Sequence, residues 1–150
     1  MAEQTSCSCG GNEKSRLIFP CAGQANTGQI SNQAAIQLSD EGYGDFVCTA
    51  LLASGSESLA GRAKEVDEVV AIDGCGMNCA RKIVEKAGAT VHQHLVVTES
   101  GIEKKSADRL FTPEQVEEIV FAAWRGEGKQ EDPGSDKMSF SGGCGCGERY

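Results

Sequence analysis

Three short apolar runs punctuate the first half of the chain, and each ends at or next to a cysteine. RLIFP runs into Cys21, DFV runs into Cys48, and EVVAID is followed by Gly74 and Cys75. The runs predict strands over 16–20, 45–49 and 68–73. The third has almost no polar interruption, which suits a central parallel strand covered on both faces. Between them the period changes. Ile30, Ala34 and Leu38 recur every four residues with Ala35 beside them, predicting a helix over 29–41 that Gly42 and Gly44 stop. The stretch ALLASGSES turns into a second helix near 58–64. A third helix is expected over 78–86, with Cys79, Ile83, Val84 and Ala87 on its stripe and Gly88 after its end. Residues 90–98 read as a fourth strand. Thr112-Pro113-Glu114-Gln115 starts a last helix, with Thr as cap, Pro at the first helical position and Gln115 completing a capping box. Val116, Ile119, Val120 and Ala123 form its buried stripe. Residues 1–15 and 126–150 carry no periodicity and read as flexible tails.

Alternating strands and helices predict an α/β fold: three-layer and Rossmann-like, with a mostly parallel sheet of about four strands and flanking helices. One domain over 16–125 is expected between the two tails, and no internal repeat is seen. Right-handed crossovers place the loops that follow the strands on one edge of the sheet.

Charge narrows the function. The chain of 150 residues has a formal net charge of −8. That balance repels phosphate backbones, and the longest basic cluster, Lys104-Lys105, is too short to offset it, so no nucleic-acid partner is expected. No stretch approaches the ~18 apolar residues of a membrane span, so no membrane partner is expected either. MAEQTSCSCGGNEK has no signal-peptide core, which makes a cytoplasmic location the default. Eight cysteines in a reducing compartment point to metal binding or thiol exchange rather than to a disulfide framework. Small buried packing residues are the plainer alternative.

Cys21, Cys48, Cys75 and Cys79 stand at the ends of strands that an α/β sheet brings to one edge. Cys75 and Cys79 are four apart, so they share one face if Cys75 precedes the first turn and Asn78 caps the helix. The helix N-terminus favours thiolates, and Arg81 and Lys82 add positive charge. Four thiolates make a closed tetrahedral site for zinc, in metal handling, sensing or a structural role. The same donors suit an iron–sulfur cluster. A thiol reading also stands, in which Cys79 attacks in persulfide or disulfide transfer and Cys75 or a tail cysteine resolves. The expected partners are a metal ion and a redox or metal-exchange protein.

The loop CAGQANTG, with Gly23, Asn26, Thr27 and Gly28, reads either as an anion-binding turn or as tight strand–helix packing. No Arg lies between Cys21 and Asp40, which argues against a cysteine phosphatase. Cys7, Cys9, Cys144 and Cys146 form two Cys-x-Cys pairs that serve as a second metal or thiol-exchange set, or as an adventitious metal-binding tail. His92 and His94 share a strand face and are expected to be solvent-facing or hydrogen-bonded rather than ligands, and Met77 to be packing. No Ser-His-Asp set, dinucleotide fingerprint or Walker loop is present, so no catalytic residue is assigned.

CAGQANTGQISNQAA, FVC and VVAIDGCGMNCARK together resemble the DGC-domain family, whose name is the tripeptide Asp73-Gly74-Cys75 here. The resemblance covers about residues 16–125 in motif order and spacing. It implies zinc binding by four cysteines, which correspond here to Cys21, Cys48, Cys75 and Cys79. The two Cys-x-Cys pairs are outside that family pattern.

Overall fold

The apolar runs pair as one all-parallel sheet. β1 (Arg16–Pro20) leads to α1 (Asn26–Asp40), then β2 (Asp45–Phe46), α2 (Thr49–Ala53), α3 (Glu57–Glu65) and β3 (Glu68–Asp73). α4 (Cys79–Lys86), β4 (Gln93–Val96), a 3-10 turn (Val97–Ser100) and α5 (Pro113–Trp124) follow. The computed structural model describes residues 14–107 and 109–131. Cys7, Cys9, Cys144 and Cys146 lie outside them. The strand order is β2-β1-β3-β4, with Ile18 opposite both Phe46 and Val70, and Ile72 opposite Leu95.

Period-2 alternation splits each central strand between two cores. Ile18, Val70 and Ile72 face α1 and α5, where Ile30, Leu38, Ile119 and Val120 meet them. Leu17, Phe19, Val69 and Ala71 face the other way, onto Leu52, Leu59, Ala80 and Val84 of α2, α3 and α4. Each such large side chain contributes roughly 1.5–3 kcal/mol on burial. The result is the three-layer α/β architecture that the alternation of elements predicts.

Several boundaries differ from the pattern-based expectation, each for a physical reason. β2 has two residues rather than five. After Phe46 the chain leaves the sheet, and Cys48 caps α2 by accepting a hydrogen bond from Leu51 N at 3.4 Å. α2 itself has no sequence stripe; Thr49 Oγ1 pins it to the Pro20 carbonyl at 2.7 Å. α1 begins at Asn26, so Asn26, Thr27 and Gly28 are its first turn and not a loop. β4 shrinks to Gln93–Val96. His92, just outside it, donates its backbone N–H to Val69 O at 2.8 Å and accepts from Val69 N on Nδ1 at 2.9 Å. Its ring thus takes the place of a strand carbonyl.

The first residues of the expected C-terminal tail also belong to the fold. Lys129 bridges Gln93 in antiparallel sense, His94 N donates to Gly128 O at 2.9 Å, and Gln130 N to His92 O at 2.9 Å. Gly128 has φ +69°, and a Cβ there would lie 1.9 Å from His94 O, so only glycine lets this strap reach the sheet.

At the end of β3, Asp73 starts α4. Asn78, expected as the cap, sits in the left-handed region at φ 53° and makes no side-chain cap bond. Asp73, 1% exposed, supplies the cap from five residues upstream. Its Oδ1 accepts from Ala80 N at 2.7 Å and its Oδ2 from Arg81 N at 3.2 Å, with His94 Nε2 at 2.9 Å from Oδ2.

At the other end of the sheet, Glu68 accepts from Lys14 Nζ at 2.8 Å and Arg16 Nε at 2.6 Å. The Arg16 guanidinium lies 4.7 Å from the Tyr43 ring centroid. Burial pushes the Glu68 carboxyl upward. The bonds to Lys14 and Arg16 outweigh it and hold the pKa at about 2 against an ordinary 4.5.

Two predictions follow from these carboxylates. Asp73→Ala strands buried helix donors, and urea unfolding is expected to show a loss of about 2–4 kcal/mol; a loss under about 1 kcal/mol would mean that α4 starts without this cap. Because the folded pKa of Glu68 is depressed, its contribution is present above the unfolded value and fades as pH falls from 4.5 toward 2. With Lys14 more than half exposed, screening leaves about 2 kcal/mol of it. Stability of Glu68→Gln should therefore fall less steeply over that window than wild type, and parallel acid limbs would contradict this.

Candidate thiol site at the switch point of the sheet

The strand order determines where a site forms. β1 and β3 are neighbours, but the helices that follow them leave to opposite faces, α1 to one and α4 to the other. Such a reversal opens a crevice at the carboxyl ends of the two strands. Cys21 follows β1 directly, Cys75 lies two residues past β3, Cys79 is the first residue of α4, and Cys48 caps α2 beyond β2. All four stand at this edge as free thiols, Cys21 and Cys75 partly buried, Cys48 and Cys79 exposed.

Two adjoining clefts lie between these sulfurs. The larger, of about 470 Å³, has Cys21, Cys48 and Cys79 in its wall with Phe46, Val47 and Ile83. The smaller, of about 160 Å³, has Cys21, Cys75 and Cys79 in its wall with Thr27, Met77 and Lys104. Cys21 and Cys79 border both. Burial pushes the Cys21 thiol up, although the N–H groups of Gly23 and Gly74 donate to its sulfur; the charges of Asp73 and Cys79 push in the same direction as burial. The backbone of Cys21 is fixed by its N–H to Ile72 O at 2.8 Å and by a hydrogen bond from Ser31 Oγ to its carbonyl.

The donor set is chemically suited to a thiophilic ion. Donors already face three of the sulfurs: backbone N–H groups at Cys21, Leu51 N at Cys48, and Lys104 Nζ at Cys75 at 3.4 Å. Outer donors of this kind orient and stabilise metal-bound thiolates. The positions are not closed around one point. Among the described residues no three His, Cys, Asp or Glu side chains stand close enough to share one ion. Gathering four sulfurs around one ion requires movement from these positions.

The Asp-Gly of the motif has an architectural part here. A Cβ on Gly74 would lie 2.7 Å from Gly28 N, and one on Gly28 would lie 2.7 Å from Gly23 N. The end of β3, the turn after β1 and the first turn of α1 therefore meet at backbone contact distance. Gly28 N is spent on Ala25 O at 3.1 Å. Asn26 clamps a distant segment, donating to Glu103 O at 2.9 Å and accepting from Lys105 N at 2.7 Å. Thr27 is buried with its hydroxyl unpaired.

His94 is engaged with Asp73 and His92 with Val69, not with a cysteine. Met77 is 61% exposed rather than packed. On α4 Ala80 and Val84 are buried and Ile83 and Ala87 pack partly buried against the same core, while Cys79 faces out, so the expected stripe holds except that Ala80 replaces Cys79. Lys104 is a site residue that the sequence did not mark; it reads only as half of a dibasic pair, and the partner that places it, Asn26, is 77 or more residues away.

Comparison with known proteins adds the family. The model of the DGC domain matches residues 17–123. Among curated proteins the chain is similar to the "Anaerobic and virulence modulator AnvM" of Pseudomonas aeruginosa, 26% identical over 103 residues, spanning 63% of this chain and 79% of that protein. No solved structure matches. No helix among the described residues is long and apolar enough to cross a membrane. With its β1-to-α5 body matched almost end to end, the chain belongs to the DGC-domain family.

Proposed function

We propose that this chain is a cysteine-thiolate metal-binding protein with a regulatory role, holding zinc through Cys21, Cys48, Cys75 and Cys79. The observation that carries the reading is the convergence of four free thiols on two clefts that share Cys21 and Cys79. When bound, a four-thiolate zinc is a closed structural centre that supplies folding energy rather than a reactive water. The work of the chain is then mechanical. Cys21 is the fixed member, set by β1 and β3. Cys79 is held by the Asp73 cap of α4. Cys48 and Cys75 sit on short connections and swing inward on loading, so metal occupancy changes the surface of this edge.

A change of shape at an exposed edge is what a sensor needs, and the AnvM relative's designation as a modulator favours sensing over a purely structural role. An iron–sulfur cluster uses the same four ligands and separates from zinc by its visible charge-transfer absorption.

The test is elemental analysis of reduced, anaerobically purified protein beside Cys21→Ser and Cys75→Ser. The expected result is zinc in a colourless protein, with about one equivalent fewer in either variant. A metal content near zero, or one that neither substitution lowers, removes the proposal.

A further inference from the structure

We propose that the smaller cleft is a second binding site, for a small tetrahedral oxyanion of the phosphate class, held by Thr27, Lys104 and the first turn of α1. Three independent features point there. The first is an unmet donor. Thr27 is 1% exposed and contributes to the wall of this cleft, yet its Oγ1 has no hydrogen-bond partner. A buried hydroxyl left without a partner costs about 1–3 kcal/mol, so a ligand that accepts from it recovers that cost.

The second is charge. In a chain of net charge −8, Lys104 is the one formally charged side chain among the described residues lining this cleft, and no carboxylate is among them. Lys104 is not there by accident of a long side chain. Asn26 clamps Glu103 and Lys105 on either side of it, and its ammonium reaches Cys75 at 3.4 Å across the cleft. Asn26 is thus a positioning residue for Lys104.

The third is the helix end. α1 has 15 residues, its N-cap Ala25 makes no side-chain cap bond, and its first turn contains no acidic residue. Two of its first N–H groups are already used, Asn26 N on Lys105 O and Gly28 N on Ala25 O, so what this end adds for an anion is the helix dipole. Thr27 and Lys104 both offer hydrogen-bond donors to the cleft, the complement of an oxyanion. The volume, about 160 Å³, is small beside the ~300–1,000 Å³ of pockets that enclose organic ligands. It suits the phosphate group itself, either as the free ion or as the end of a small monoester.

This site shares Cys21, Cys75 and Cys79 in its wall with the proposed metal site, so its test is run on metal-free protein and either can fail alone. Full-length, reduced, chelator-treated protein is titrated by calorimetry with inorganic phosphate and, in a second arm, with glycerol phosphate. Amide NMR shifts report the location. Saturable binding of either anion is expected, the tighter one identifying the source, with shifts centred on residues 23–28 and 104. Thr27→Val and Lys104→Met should each weaken binding about ten-fold. Thr27→Val removes an unpaired hydroxyl and keeps the shape, so it should melt at or above the wild-type temperature. No saturable binding of either anion overturns the proposal. So does binding undiminished in either variant, or a Thr27→Val protein that melts clearly below wild type, which would give the hydroxyl a structural partner.

Discussion

The buried carboxylate of Asp73 is the contact on which this fold's working edge depends. It ends the central strand β3, caps α4, and meets His94 of β4, so three elements share one side chain. Two backbone donors and a ring nitrogen surround it, which is how a carboxylate tolerates such burial. The next residue, Gly74, brings that strand end against α1 without a side chain between them. Cys75 and Cys79 then follow within one turn of chain. Their placement beside Cys21 is a consequence of how the strand is terminated, not of any attraction between sulfurs.

The two ends of the sheet are built differently. At the amino end, Glu68, Arg16, Tyr43 and Gln93 form a packed polar cluster. The Tyr43 hydroxyl lies 2.5 Å from Gln93 Oε1, and Gln93 Nε2 donates to Ala123 O and Glu127 O. That network ties β4, the end of α5 and the C-terminal strap together. At the carboxyl end, clefts replace packing, and short connections carry the thiols. One end fixes the body, and the other holds the four thiols, two of them exposed.

Much of the fold is written locally. EVVAID is legible as a central strand because no charge interrupts it, and Thr112 with Gln115 announces α5 because both halves of the capping box are three residues apart. The convergence of four cysteines on one edge is likewise legible, since strand ends and crossover handedness decide it. What local pattern could not reveal is work delegated across the chain. The α4 cap comes from Asp73 rather than the adjacent Asn78. Asn26, which looks like a loop residue, fastens a segment near Lys105. Residues 126–130 look like tail yet pair with β4. The direction of each thiol was also illegible, because it follows from where Cys48 leaves the sheet and from the register of α4.

The central claim is that four core sulfurs share one ion. The most direct measurement is zinc-edge X-ray absorption on anaerobically prepared protein in which Cys7, Cys9, Cys144 and Cys146 are replaced by Ser, so that only core thiols remain. The account predicts a first shell of four sulfurs at about 2.3 Å. A shell of mainly nitrogen and oxygen, or protein that retains no zinc, contradicts it.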